Sequence, residues 1–188
     1  MNFKELLTKV RSEIDERGLD GFFLDADIKR WLNEGQKDIA RKTLFLQTYK
    51  FITNATGEEF GLPTDYIKLH KVTIEDNVIE HIDRNPEQGY VIWQKKIKFN
   101  FTIDDVKLGL YYYSFPVLMA NDTDEPEVPI EYQDLLIKYA KYEAKLVDED
   151  PNTANAFYQQ YVGRLSDMSR DYGKQDKLTS FKVYRHKR

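Results

Sequence analysis

The chain contains no cysteine. That removes disulfides, thiolate catalysis and Cys-based zinc sites. No stretch approaches the roughly 20 apolar residues that a membrane span needs. Residues 2–17 are charged throughout and lack the apolar run of a signal peptide, so synthesis in the cytosol and no membrane partner are expected. Histidine is scarce and scattered, at His70, His81 and His186. There is no Gly-rich phosphate loop, nucleophile elbow or His-Glu-x-x-His motif. The expectation is a protein that is not an enzyme and has no catalytic, cofactor-binding or metal site.

What is present is aromatic and charged. The 188 residues include 13 Tyr and 11 Phe. This length suits one medium domain or a domain with a large insertion, able to bury roughly two-thirds of its unfolded surface. Tyr combines apolar area with a polar tip, so Tyr-rich chains often make protein contacts. The net charge of -4 is uneven: residues 174–188 carry six basic side chains and one acid, leaving -9 on the rest. An acidic body with a basic tail points to different surfaces for each.

The organising stretch is residues 25–42. Ile28, Trp31, Leu32, Gly35 and Ile39 fall on one helical stripe, with Lys29, Arg30, Glu34, Lys37, Asp38 and Arg41 opposite. Asp25 suits an N-cap. Gly35 costs about 1 kcal/mol against alanine inside a helix, so a second helix is expected to cross there. Before it, residues 2–17 read as a helix with Phe3, Leu6, Leu7, Val10 and Ile14 on one face, capped by Gly18, with Gly21 as a second break.

After about residue 44 the period moves towards two. Strands are expected at 48–54, ended by Ala55-Thr56-Gly57, and at 68–74, 78–82 and 90–94, with turns at Asp76-Asn77 and Asn85-Pro86. Ile97, Phe99, Phe101 and Ile103 share one face. Val106, Leu108, Leu110 and Tyr112 continue it after Asp104-Asp105, which reads as a hairpin. Residues 117–129 form an acidic loop. A helix follows at 130–148 with Tyr132, Leu135, Leu136, Tyr139 and Leu146 inward, broken at Asp148-Glu149-Asp150. Asp150 caps the last helix with Pro151 at its first position. Phe157, Tyr158, Tyr161, Leu165, Met168 and Tyr172 run along that helix, Gly173 ends it, and its short link to the preceding helix favours an antiparallel pair.

The fold class expected is α+β: a helical bundle formed by N- and C-terminal helices, with an inserted antiparallel β lobe. The divisions are 1–47 and 117–173 for the bundle, 48–116 for the lobe and 174–188 for a basic docking tail.

His70 and His81 can approach across a hairpin, with Asp65 or Glu80 as further metal ligands, but half-exposed strand histidines are the simpler reading. Asp104 with Asp105, and Asp122 with Asp124 and Glu125, fit turn formation better than acid–base chemistry, which needs a buried, perturbed carboxyl. In the tail, Lys177, Lys182, Arg185, Lys187 and Arg188 interleave with Leu178, Phe181, Val183 and Tyr184. A disordered terminus, phosphate contact with nucleic acid, and docking on an acidic partner by strand addition all remain open. A nucleic-acid-binding module gripping through the tail is the alternative function. An enzyme acting on a polymer through an aromatic lobe is a third.

Three stretches carry a resemblance: residues 28–39 (IKRWLNEGQKDI), residues 62–66 (LPTDY) ahead of an apolar strand, and residues 126–140 (PEVP, then IEYQDLLIKYA). In this order they resemble the head-to-tail adaptor proteins of tailed bacteriophages, also called head completion or connector proteins. The resemblance implies a structural part of the virion neck, made in the host cytoplasm. It implies a ring, commonly of twelve copies, between the portal protein and the tail or further neck proteins. Genomic DNA would pass through the lumen without specific binding. The C-terminal segment would dock on the portal, with Phe181, Tyr184 and Arg185 as anchors and Lys177, Lys182, Lys187 and Arg188 in support. An acidic wall gains no counterion-release affinity for DNA, and a tail that orders on docking keeps the free protein soluble.

Overall fold

A computed structural model describes residues 1–14, 22–85, 87–148 and 150–173. The expected cap at Gly18, the break at Gly21, Pro86, Glu149 and the whole of 174–188 lie outside the described residues. The chain divides into two compact units, one formed from Met1–Phe45 with Pro116–Arg188 and the other from Leu46–Phe115.

Among its described residues the first unit holds four helices. Helix α1 (Phe3–Glu13) opens with a reciprocal cap: Asn2 Oδ1 accepts from Glu5 N–H at 2.9 Å, and Glu5 Oε2 accepts from Asn2 N–H at 3.0 Å. Helix α2 (Asp25–Thr43) follows Leu24, which supplies no side-chain cap. Asp25 is therefore not the N-cap; it is the first helical residue, and its carboxylate takes the Arg11 guanidinium at 2.6 Å. A 3₁₀ turn at Ile130–Tyr132 precedes α3 (Asp134–Val147), so the expected single helix is two pieces. Leu146, in the last turn of α3, is exposed rather than inward. Helix α4 (Pro151–Gly173) starts as expected, with Thr153 N–H donating to Asp150 Oδ1 at 3.1 Å. One core joins Phe3, Leu6 and Val10 of α1 to Ile28, Trp31 and Leu32 of α2, Leu135 and Leu136 of α3, and Tyr161 and Met168 of α4. Helix α3 crosses α2 at Gly35, where a Cβ would lie 3.1 Å from the Tyr139 ring.

The second unit holds strands β1 (Gln47–Gly61), β2 (Tyr66–Ile74), β3 (Asn77–His81), β4 (Gly89–Trp93) and β5 (Lys96–Ser114). They run in the order β1-β5-β2-β3-β4, and β4 also pairs with β5. That last pairing closes β2, β3, β4 and β5 into a four-stranded barrel, with β1 added on the outside of β5. Strands β3 and β4 are parallel, through Glu80 opposite Gly89 and His81 opposite Tyr90. The expected helical bundle with an inserted antiparallel β lobe is thus corrected to an α+β fold that has, among the described residues, four helices and a closed barrel with one extra strand. Closure depends on Gly89: a Cβ there would stand 2.6 Å from Asn85 O and 2.7 Å from Ile82 Cα.

The expected hairpin at Asp104-Asp105 is also overturned. Strand β5 runs unbroken for 19 residues. Asp105 sits in the left-handed region (φ 50°) as an extra residue, so inward positions pass from Ile97, Phe99 and Ile103 to Leu108, Leu110 and Tyr112 within one strand. Opposite, β1 does not end at residues 55–57. It bulges there, with Asn54 and Gly57 at positive φ. Asn54 Nδ2 donates to Asp105 Oδ1 at 2.5 Å, and Asp105 N–H donates to Thr56 Oγ1 at 3.1 Å. The β2–β3 turn is centred on Glu75-Asp76, both left-handed, one residue earlier than expected.

Candidate functional site

The polar side of α2 grips the segment after β5. Asn33 lies three residues before Gln36, so both point the same way off the helix. Asn33 Nδ2 donates to Met119 O at 2.9 Å, and its Oδ1 accepts from Met119 N–H at 3.0 Å. Gln36, fully buried, donates to Val117 O at 3.3 Å and accepts from Glu127 N–H at 2.9 Å. One turn earlier, Lys29 pairs with Asp122 at 2.7 Å. From α1, Phe3 N–H donates to Asp124 O at 2.8 Å. These contacts fix the acidic segment as an ordered strap. Asn33 and Gln36 stand outside the apolar stripe expected from sequence, yet two amides three apart beside such a stripe are the signal for this grip.

Three acids of the strap, Asp122, Asp124 and Glu127, are held by the chain itself. Asp124 Oδ2 accepts from Ala120 N–H at 2.7 Å and Asn121 N–H at 2.8 Å. These backbone bonds, led by that of Asn121, hold its pKa below the usual carboxylate value. The bond and charge of Lys29 do the same for Asp122. Asp104 and Asp105 are taken up by Thr56 and Asn54 in the β-bulge. Asp104, Asp105, Asp122 and Asp124 are thus each held by donors of the chain itself.

Between α2, α3 and α4 runs a ladder of tyrosines. Tyr161 donates to Asp38 at 2.6 Å, and its ring stands 5.5 Å from that of Tyr139. Tyr158 and Tyr142 continue the series at 5.1 Å. Tyr132 donates to Asp171. Burial, then the Asp38 bond, pushes the Tyr161 hydroxyl well up, so it stays a donor. Glu143, bonded to Tyr139 in this layer, is raised by burial and by the nearby Glu34 and Asp38 carboxylates. The expected inward Tyr positions are therefore core, cross-linking helices through acid partners.

In the barrel, His70 and His81 line one open hollow of about 430 Å³ with Lys71, Glu80, Asp83, Arg84 and Tyr90. The structure brings these two histidines together but not with Asp65, which accepts from Tyr112 OH at 3.1 Å. Burial and the Asp65 charge push Tyr112 up to about 12. His81 Nδ1 lies 3.1 Å from Asp83. Among the described residues, no group of three or more His, Cys, Asp or Glu is placed to hold a metal ion. The docking residues Lys177, Phe181, Lys182, Tyr184, Arg185, Lys187 and Arg188, and His186, lie outside the described residues. Among the described residues, no helix is long and apolar enough to cross a membrane.

What this geometry can do is present rigid surfaces: a strapped acidic segment on one unit and an aromatic sheet on the other. A search of curated proteins gives no match. A family model, described as the SU10 adaptor protein, matches residues 1–180. The chain belongs to the SU10 adaptor protein family.

Proposed function

We propose that this protein is a structural adaptor of the bacteriophage neck that forms a ring between portal and tail, extends the DNA channel and completes the head. The observation that carries the reading is the family match over residues 1–180. That family places the chain among structural phage adaptors, as a component of the virion. Its partners on this reading are the portal protein, tail or further neck proteins, and copies of itself, with twelve as the number the resemblance implies. Catalysis has no part in it. The acidic body supports passage of DNA without adhesion, since a wall of like charge releases no counterions on contact.

The basic segment 174–188 is proposed as the portal-docking element. Phe181, Tyr184 and Arg185 supply the anchors, and Lys177, Lys182, Lys187 and Arg188 supply attraction to an acidic portal surface. The test is the mass of the purified protein with and without portal, for the intact chain and for one lacking residues 177–188. A large complex with portal that is lost on truncation is the expected result. Undiminished portal binding by the truncated chain overturns the docking role. Duplex binding that falls steeply with salt and vanishes on truncation would favour a nucleic-acid-binding module instead.

A further inference from the structure

Two exposed patches of this chain complement each other. The first lies on the outer face of the barrel unit. Tyr49 and Phe51 of β1 and Tyr111 of β5 form one aromatic cluster, with ring centroids 5.1 to 6.1 Å apart. Tyr49 is 62% exposed and Phe51 39%. Lys71 lies over the Tyr111 ring at 4.5 Å, and Lys107 over the Phe51 ring at 4.4 Å. Among the described residues β1 pairs only with β5, so the patch ends at an unpaired strand edge.

The second patch lies on the helical unit, on the strap held by Asn33 and Gln36. Val117 is 77% exposed and Leu118 47%. With Met119 they line an open hollow of about 320 Å³ rimmed by Asp124, Glu125 and Glu127. The carboxylates of Asp124 and Glu127 are fixed by backbone N–H donors, at 2.7 Å from Ala120 and 2.7 Å from Val117 respectively. The hollow is thus preorganised, apolar at its floor and negative at its rim.

We infer that the aromatic–lysine patch of one copy docks on the strap hollow of a second copy, with Tyr49 as the anchor and Lys71 and Lys107 facing Glu125 and its neighbours. An exposed aromatic flanked by Lys71 and by Lys107, the latter also 3.5 Å from Asp76 of its own chain, meets an exposed aliphatic floor rimmed by anions. Charges at the rim steer and set register, while the aromatic supplies buried area. The contact joins different surfaces on the two copies, so it repeats head to tail and closes into a ring when the rotation allows. The inference rests on the proposed self-assembly and names the surfaces that carry it. A nucleic-acid platform is less favoured here, because the lysines already occupy ring faces on which bases would stack.

Because the chain has no cysteine, single introduced thiols report this contact directly. Full-length Gln47→Cys, whose thiol sits two residues from Tyr49 on the same face of β1, and Val117→Cys proteins are mixed at high concentration under mild oxidation. The expected product is a mixed disulfide dimer, with little from either protein alone. Adding Lys71→Glu to the Gln47→Cys chain should lower its yield at least about tenfold, and adding Glu125→Lys to the Val117→Cys chain should restore it. Links between two Gln47→Cys chains, or no link while circular dichroism shows both proteins folded, overturn the inference. So does single-stranded oligonucleotide binding that is lost in Tyr49→Ala. Truncation at residue 177 should leave the disulfide yield unchanged. Loss of portal binding with cross-linking intact, or the reverse, separates failure of this contact from failure of the portal reading.

Discussion

Gly35 shows what a single missing side chain permits. Alanine there gains about 1 kcal/mol of helix propensity. Its Cβ would press on Tyr139 at 3.1 to 3.3 Å. That ring cannot give way, because it stands against Tyr161 and Tyr142 and is tied to Glu143. Gly35→Ala is therefore expected to lose about 1–2 kcal/mol net, overpacking outweighing propensity, as measured by urea unfolding. Glu143 gives a pH signature at the same scale. Its folded pKa is raised above the ordinary value of 4.5, first by burial and then, among the raising causes, by Glu34 and Asp38, while Tyr139 and Arg30 act the other way. Its stabilising contribution is present below that ordinary value and lost as pH rises through the folded value. Glu143→Gln should raise the thermal midpoint at pH 8 relative to the parent and change it little at pH 4. An equal effect at both would show that ionisation of Glu143 is not the cause.

The elements carry two further expectations. Asn33 satisfies both backbone groups of Met119. Asn33→Ala leaves that half-buried pair without its partner, at about 1–3 kcal/mol. Hydrogen exchange at Met119 and at residues 120–128 should speed up, with the rest of α2 unaffected. In the barrel, the bend of β5 depends on a left-handed Asp105. Asp105→Val forces a β-branched side chain into that region and should cost about 1–3 kcal/mol, whereas Asp105→Asn, which tolerates it, should cost much less. Thermal unfolding of the pair checks this. The sequence showed the change of parity between Ile103 and Val106 plainly. A turn and a bulge produce the same shift in an alternating pattern, however. Only the neighbouring strand, with Asn54 and Thr56 ready to hold Asp105 and Asp104, distinguishes them.

At the scale of the molecule, each unit has a core of its own. The helical core and the barrel core share no residue, and Ser114 N–H donates to Leu46 O at 3.0 Å, so the chain enters and leaves the barrel side by side. Replacing residues 46–115 by a short Gly-Ser linker should therefore leave the helical unit folded, with a cooperative melt by far-ultraviolet circular dichroism. A molten product would mean that the helices need the barrel to fold. The acidic charge outside the tail belongs to this scale as well, because it acts through the summed field rather than through any one pair.

The sequence by itself determined that helices at both ends flank a block of strands, the apolar stripe of α2 with its gap at Gly35, the Asp150-Pro151 start of α4 and the family. These follow from local periodicity, capping chemistry and the order of motifs along the chain. Only the tertiary structure decided that β4 returns to β5 to close a barrel, that Asp105 is a bulge, that Leu24 rather than Asp25 precedes α2, and that Asn33 and Gln36 hold the strap. Each of those depends on groups far apart in the chain, whose meeting no local pattern records.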